Sequence, residues 1–107
     1  MKRVGQVIRL KPEAEEKYRR LHANCWPEVL AKITEANIRN YSVYLRDGYL
    51  FSYFEYIGTD YEGDMKRMGE DPKIQEWWKE TDPCQYPVES AGPGVWWADM
   101  DEVFHED

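Results

Sequence analysis

The spacing of hydrophobic and polar residues at the start of the chain predicts a strand followed by a helix. The run KRVGQVIRL is short, rich in Val and Ile and interrupted by polar residues, which is typical of a strand. Pro12 then fits the first turn of a helix, where its missing N–H leaves no hydrogen bond unmade. Residues at helical spacing predict the inward face of this helix, which comprises Ala14, Tyr18, Leu21, His22 and Cys25.

The middle of the chain predicts a second helix and then a β-hairpin. Pro27 interrupts the first helix or begins a second one, and we favour a second helix over PEVLAKITEA with Asn37 as a left-handed cap. Two β-rich runs, RNYSVYLR and YLFSYFEY, flank Asp47-Gly48, which is a strong hairpin signal. The second run is apolar on both faces, which is typical of a central strand.

The carboxyl-terminal half predicts two more helices and a last strand. YEGDMKRMGE has Tyr and Met residues at helical spacing, and Asp71-Pro72 is a typical N-cap and first residue for the helix PKIQEWWKE. The segment TDPCQYPVESAGPG carries three prolines and two glycines and is expected to be a loop. A final strand is predicted over residues 97–105.

The order of these elements predicts the fold class. Residues 1–107 are expected to form a single domain in the order strand, helix pair, hairpin, helix pair, strand. This βαββαβ order predicts an α+β, ferredoxin-like antiparallel sheet with its helices on one face. The other face would be bare, and exposed aromatic surface of that size is unfavourable in a monomer. Either a second subunit covers it, or the helices leave a cleft that a ligand fills, and both can hold.

The charge and the cysteines narrow the choice of partner and compartment. Fourteen Lys and Arg against twenty-one Asp and Glu give a net charge of −7, so we expect neither nucleic acid nor a membrane as a partner. Cys25 and Cys84 match no CxxC or zinc spacing and are expected to be free thiols in a reducing compartment. Without a signal-peptide pattern or a membrane-spanning run, the protein is expected to be soluble and cytoplasmic.

His22 is the first candidate for chemistry, because an imidazole has an unperturbed pKa of about 6.5. Tyr18 lies one helical turn earlier on the same face, and Tyr41 offers a second phenol. Spacing alone leaves open whether His22 is a surface helix residue bonded to its neighbour or a group that transfers protons. The same holds for the two tyrosines, which can equally be core residues with a polar tip.

Trp77 and Trp78 are the second candidate feature. Adjacent helix positions point about 100° apart, so one Trp can belong to the core and the other to an interface. Alternatively, at least one offers a flat apolar wall against which the C–H face of a sugar can pack. The chain has no Gly-rich phosphate loop, no HExxH and no GxSxG, and its carboxylates are scattered. A metal site therefore has no support in the sequence.

Taken together, these motifs resemble the L-rhamnose mutarotase family. The likeness rests on Tyr-x-x-x-His, Trp-Pro-Glu, Asn-Tyr, the Trp pair and the terminal Glu-Val-Phe, and it runs in order through nearly the whole chain. The resemblance implies a dimeric α/β barrel of ferredoxin-like subunits that interconverts sugar anomers without a cofactor. It implies that His22 is catalytic and that four residues bind the sugar: Tyr18, Tyr41, Trp77 and Trp78.

The sequence leaves open the role of one loop, the preferred sugar and the class of function. The loop ESAGPGVWWAD adds Trp96 and Trp97, which could reshape the mouth of the site or a dimer contact. The preferred sugar could be L-rhamnose or another 6-deoxy sugar such as L-fucose. Rival functions are an oxygenase-like enzyme of the dimeric α/β-barrel type and a module that binds a small ligand without turnover.

Overall fold

The computed structural model describes residues 1–107 and contains five strands and four α-helices. The strands are β1 (Lys2–Leu10), β2 (Ile38–Arg46), β3 (Tyr49–Tyr56), β4 (Gln85–Tyr86) and β5 (Ala98–Met100). The helices are α1 (Glu15–Ala23), α2 (Pro27–Glu35), α3 (Tyr61–Glu70) and α4 (Pro72–Thr81), and single 3-10 turns cover Pro12–Ala14 and Asp82–Cys84. None of the four helices has the length and apolar character that a membrane-spanning segment needs.

All strands pair antiparallel in one sheet of order β2-β3-β1-β4. β1 and β3 are central and pair from Lys2↔Tyr56 to Arg9↔Tyr49. The other edge of β1 is shared, because β4 pairs near its end and β5 pairs with Gly5, Gln6 and Val7. This order is that of a ferredoxin-like sheet, so the predicted α+β class is confirmed.

Two predictions about the last third of the chain were wrong. The final strand was predicted over residues 97–105, but β5 ends at Met100 and residues 101–107 have no regular structure. No part of the chain covers Val103 or Phe104, which are 94% and 80% exposed, and the tail is tied to β1 by an ion pair between Arg3 and Glu102. The predicted loop also contains β4, which is only two residues long and is therefore too short to show the alternation of hydrophobic and polar residues that predicts a strand.

The residues predicted to control turns and helix ends are confirmed. Asp47 and Gly48 both have positive φ, 53° and 79°, which is the requirement of a type I′ hairpin turn. Asn37 caps α2 with φ of 66°. The Asp71 carboxylate accepts hydrogen bonds from the first backbone N–H groups of α4, those of Lys73 and Ile74.

Three clusters of buried hydrophobic side chains form the core between the sheet and the helices. The first contains Ile8, Leu10, Tyr18, Leu50 and Cys84. The second contains Val4, Ala36, Ile38 and Phe54. The third contains Val29, Ile74 and Trp77. Because members of all three clusters also line one hollow, the core surrounds a cavity and does not close on itself.

The outer face of the sheet carries exposed aromatic and apolar side chains. Phe51 lies between Val7 of β1 and Tyr44 of β2 in the strand register, and Tyr49 and Met100 extend the same surface. All except Val7 are exposed. We call these five residues the outer sheet face. The helices therefore cover one side of the sheet only, as the element order predicted.

Candidate functional site

One cavity of about 520 Å³ lies between the helices and the sheet. It is lined by 19 residues, 14 of them hydrophobic, which is the usual make-up of a small-ligand site. The structure brings all five sequence-predicted site residues to its wall: Tyr18, His22, Tyr41, Trp77 and Trp78. A second hollow of about 860 Å³ shares several of these walls but lacks Trp78, so the first is the candidate site.

His22 lies in the last turn of α1, exposed at the rim of the cavity. The sequence placed it on the inward face of the helix, but only Tyr18 is fully buried there. The ring stacks on Tyr18 at 4.2 Å between centroids and meets the edge of Trp77 at 5.3 Å. Two aromatic rings thus hold the imidazole at the cavity while solvent reaches its other side.

The hydrogen bond of His22 defines its tautomer. Its Nδ1 lies 3.0 Å from the backbone carbonyl oxygen of Tyr18. A carbonyl oxygen only accepts, so in the neutral ring Nδ1 carries the hydrogen and Nε2 keeps its lone pair. Desolvation lowers the pKa of His22, and the bond to the carbonyl opposes this shift in part. The imidazole is therefore neutral near pH 7 and has one nitrogen free to accept a proton.

Tyr18 supplies a buried phenol beside this imidazole. Its hydroxyl oxygen accepts a hydrogen bond of 3.0 Å from Nε2 of Gln85. Burial raises the pKa of Tyr18 strongly, and the nearby Tyr41 raises it further. Tyr18 is therefore protonated across the neutral range and can donate a hydrogen bond.

Tyr41 reaches the cavity from an irregular part of β2. The pairing of β2 with β3 shifts register between Arg39 and Ser42, and Asn40 has a positive φ of 53°. Such a bulge changes the direction of the side chains that follow it. The Tyr41 ring packs on Phe54 at 5.5 Å and is 44% exposed, but desolvation of its hydroxyl still raises its pKa. This second phenol is also protonated near neutral pH.

Trp77 and Trp78 form two different walls of the cavity. Trp77 is buried in the core and contacts His22 and, edge to face at 5.2 Å, Trp26. Trp78 is exposed, and its ring passes close to Gly69 of α3. The pair divides into one core and one exposed residue, as their spacing on the helix predicted.

The cavity also contains polar groups that sequence reasoning missed. Gln85 comes from β4, and Gln6 on β1 donates a hydrogen bond of 2.9 Å to Asp99 of β5. Neither glutamine had a sequence signal, since one lies in an apparent loop and the other in an ordinary strand. Trp96 and Trp97 line the same cavity, so this loop shapes the site. No group of three or more potential metal ligands occurs in residues 1–107.

Comparison with known proteins identifies the family of this chain. A sequence model of the L-rhamnose mutarotase family matches residues 3–106. L-rhamnose mutarotases from Oceanobacillus iheyensis and Lactiplantibacillus plantarum are 32% and 33% identical to this chain, with 100% of both proteins covered in each case. The crystal structure of L-rhamnose mutarotase FA22100 from Formosa agariphila has a TM-score of 0.78 at 16% identity and full coverage of both chains. An antibiotic biosynthesis monooxygenase has a TM-score of 0.58 at 15% identity, over 94% of this chain and 97% of that one.

The sheet order and the aromatic cavity define a ferredoxin-like α+β protein built around a small-ligand site. Likeness to the monooxygenase shows this fold alone, whereas the family match covers nearly every residue. The chain belongs to the L-rhamnose mutarotase family, which confirms the resemblance carried by its motifs, and it is an isomerase that acts on carbohydrates.

Proposed function

We propose that this protein interconverts the α and β anomers of L-rhamnose, or of a related 6-deoxy sugar such as L-fucose, by cofactor-free acid–base ring opening and closure. The observation that carries this proposal is the meeting of Tyr18, His22 and Tyr41 at one aromatic cavity. Such a reaction requires a base and an acid, and a neutral imidazole beside two protonated phenols can supply both. The relatives named above as L-rhamnose mutarotases support the choice of sugar.

His22 moves the proton in this mechanism. Its neutral Nε2 takes the proton of the anomeric hydroxyl, and the C1–O5 bond breaks as the C1=O1 bond forms. The imidazolium then returns the proton to the ring oxygen, which gives the open-chain aldehyde. Both oxygens were bonded to the same carbon, so one imidazole can reach both. After rotation about C1–C2 the same steps run in reverse and leave the hydroxyl on the other side.

The two phenols stabilise the oxygen atoms as their charge changes. Since the pKa values of Tyr18 and Tyr41 are raised, each donates a hydrogen bond and keeps its proton. Positioned acid–base catalysis is typically worth roughly 10²–10⁴-fold, which is sufficient for a reaction that already proceeds slowly in water.

The two tryptophans form the walls that hold the sugar. Trp77 gives a rigid buried wall, and Trp78 closes the exposed side. The C–H face and the C6 methyl of a 6-deoxy sugar are apolar, so they pack on indole rings while the hydroxyls face the polar groups. A hexose with a hydroxyl at C6 would leave that hydroxyl against an apolar wall.

Exchange spectroscopy tests the proposed function directly. NMR saturation transfer between the anomeric protons is measured for L-rhamnose, L-fucose and a control hexose at anomeric equilibrium. We expect the protein to accelerate exchange for at least one 6-deoxy sugar and His22→Ala to abolish this. The matched control is His105→Ala, which removes the other histidine, in the exposed tail, where its ring hydrogen-bonds to Asp107. Full exchange by His22→Ala would refute the catalytic role.

The same experiment separates the rival functions. A binding module would contact the sugar, and shift its signals, without accelerating exchange. An oxygenase-like enzyme would ignore sugars and consume oxygen with an aromatic substrate. Neither rival is favoured, because the family match concerns a mutarotase.

We propose that the protein is a homodimer and that the outer sheet face is covered by a second copy. The support is this continuous apolar surface, with Tyr44, Phe51 and Met100 exposed together. Light scattering should give twice the mass of the 12.8 kDa chain. Phe51→Lys places a charge in the middle of the surface and should shift the mass toward a monomer, whereas Leu30→Lys, at an exposed position of α2, should not.

We also propose a cytoplasmic location. The two cysteines, Cys25 and Cys84, are free thiols, and such thiols are typical of a reducing compartment. Fractionation of cells that express the protein should place the exchange activity in the cytosolic fraction, and activity confined to an envelope fraction would contradict this.

A further inference from the structure

We propose that Gln85, held in place by Trp96, is a positioning residue that forces the Tyr18 hydroxyl to donate its hydrogen bond to a sugar oxygen in the cavity. This inference rests on the proposed function and extends it to three residues linked by hydrogen bonds. It also gives a specific role to Trp96, for which the sequence left open the mouth of the site or a dimer contact.

The surroundings of Gln85 are well defined. Gln85 is 4% exposed, and β4 places it opposite Leu10 on the edge of β1. Its side chain joins two partners that lie far from each other in sequence, Tyr18 and Trp96. A buried amide with both ends bonded has a single orientation.

Trp96 determines which end of the amide faces Tyr18. The indole N–H can only donate, and Nε1 of Trp96 lies 3.3 Å from Oε1 of Gln85. The oxygen end of the amide is therefore turned toward Trp96, and the NH₂ end is turned toward Tyr18 at 3.0 Å. Without the indole, the amide could rotate by half a turn and present its oxygen to the phenol.

This orientation determines the direction of the phenol proton. An amide NH₂ group only donates, so the Tyr18 oxygen accepts from Gln85 and its own hydrogen must point elsewhere. No other group of the protein hydrogen-bonds to this hydroxyl, and Tyr18 lines the cavity. Its hydrogen is left for a ligand oxygen. The hydrogen bond from Tyr18 is strongest to a sugar oxygen that gains negative charge during ring opening, because a charged acceptor strengthens a hydrogen bond.

Substitution of the amide by a carboxylate tests this directly. In Gln85→Glu the new side chain has nearly the same shape, but when ionised it only accepts, so Tyr18 would donate to it and turn its hydrogen away from the sugar. We expect kcat to fall by about tenfold or more while KM changes little, since the lost bond is strongest in the transition state. As the pH falls and the buried carboxyl takes up a proton, it can donate again. The ratio of variant to wild-type kcat should therefore rise toward low pH.

A second variant and two controls complete the experiment. Trp96→Phe keeps an aromatic wall but removes the indole N–H, and we expect a smaller fall in kcat without the altered pH profile. Gln75→Glu makes the same chemical change on the exposed side of α4, away from the cavity, and should leave both kcat and the pH profile as in the wild type. Thermal unfolding of each variant establishes that it is folded under the assay conditions.

The outcomes distinguish this inference from the proposed function. The positioning role is supported if kcat of Gln85→Glu is lowered near neutral pH and the ratio of variant to wild-type kcat rises at low pH. If Gln85→Glu and Trp96→Phe both exchange anomers like the wild type while His22→Ala is inactive, the inference is wrong and the proposed function stands. If Gln85→Glu does not fold, a wild-type kcat for Trp96→Phe is enough to overturn the inference. If the wild-type protein exchanges no sugar, the proposed function fails, and the inference with it.

Discussion

Removal of the Tyr18 hydroxyl by Tyr18→Phe should affect stability and catalysis separately. The phenylalanine ring keeps the stack on His22, at 4.2 Å between centroids, so the geometry of the imidazole is preserved. What is lost is one oxygen atom, which accepts a hydrogen bond from Gln85 in a buried site. This makes the substitution a specific test of that oxygen.

The magnitudes follow from the burial of the pair. Gln85 would keep a buried N–H group without an acceptor, which destabilises a protein by about 1–3 kcal/mol. For a domain of about this size, each kcal/mol lowers Tm by roughly 4–8 °C, so a fall of about 4–24 °C is expected. The missing donor to the sugar should lower kcat by roughly 10–100-fold, the equivalent of about 1.4–2.7 kcal/mol.

Differential scanning calorimetry and NMR anomer exchange measure the two effects on the same samples. Tyr86→Phe is the matched control, because its hydroxyl lies outside the cavity lining. The control should change neither Tm nor kcat by much. The reasoning is refuted if Tyr18→Phe unfolds at the wild-type temperature and exchanges anomers at the wild-type rate, since the hydroxyl would then serve neither the buried pair nor the sugar.

Three further predictions concern other groups. Desolvation lowers the pKa of His22 from its usual 6.5, so kcat should stay level as the pH falls from about 8 and decline only below about 6.5. A pH–rate profile with its midpoint above about 6.5 would contradict this. Asp64 has its pKa lowered to about 2 by hydrogen bonds from Tyr56, Arg67 and Asn37, so its stabilising effect is present above the unfolded value of 3.8 and lost as the pH falls through 2. Asp64→Asn should therefore flatten the dependence of Tm on pH in that window. If Tm of the variant varies with pH as steeply as that of the wild type, Asp64 does not have this stabilising effect. Trp77→Ala should lower the free energy of unfolding by about 3–5 kcal/mol, as for other large buried aromatics, whereas Trp78→Ala should mainly raise KM. Denaturant unfolding measures the first effect and exchange kinetics the second, and equal losses of stability in the two variants would contradict the prediction.

Local features of the site and fold were readable without a structure. Asp47-Gly48 predicts its turn because few residue pairs accept two consecutive positive φ angles. Asp71 predicts the start of α4 because a carboxylate can satisfy the free N–H groups of the first turn. The helical period alone places Tyr18 and His22 one turn apart, and the structure stacks their rings. Each of these depends on neighbours within about four residues.

Contacts between distant segments had no such signal. Gln85 meets Tyr18 across 67 positions of the chain, and nothing in the local pattern of either residue marks this pairing. The predicted last strand failed for the same reason. β5 pairs with β1 only from Val7↔Ala98 to Gly5↔Met100, and the residues after Met100 leave the sheet without any local sequence signal that marks the departure.

The sequence by itself determined the order of the elements, their caps and turns, and the residue types available for proton transfer, because these follow from the preferences of short segments. The tertiary structure decided that Tyr18, His22 and Tyr41 share one cavity and that His22 lies at its exposed rim. It also decided that the amide of Gln85, from the two-residue strand β4, is part of the cavity lining. The physical reason is that the direction of a hydrogen bond and the desolvation of a titratable group depend on every segment packed around it, and periodicity along one segment contains no information about the others.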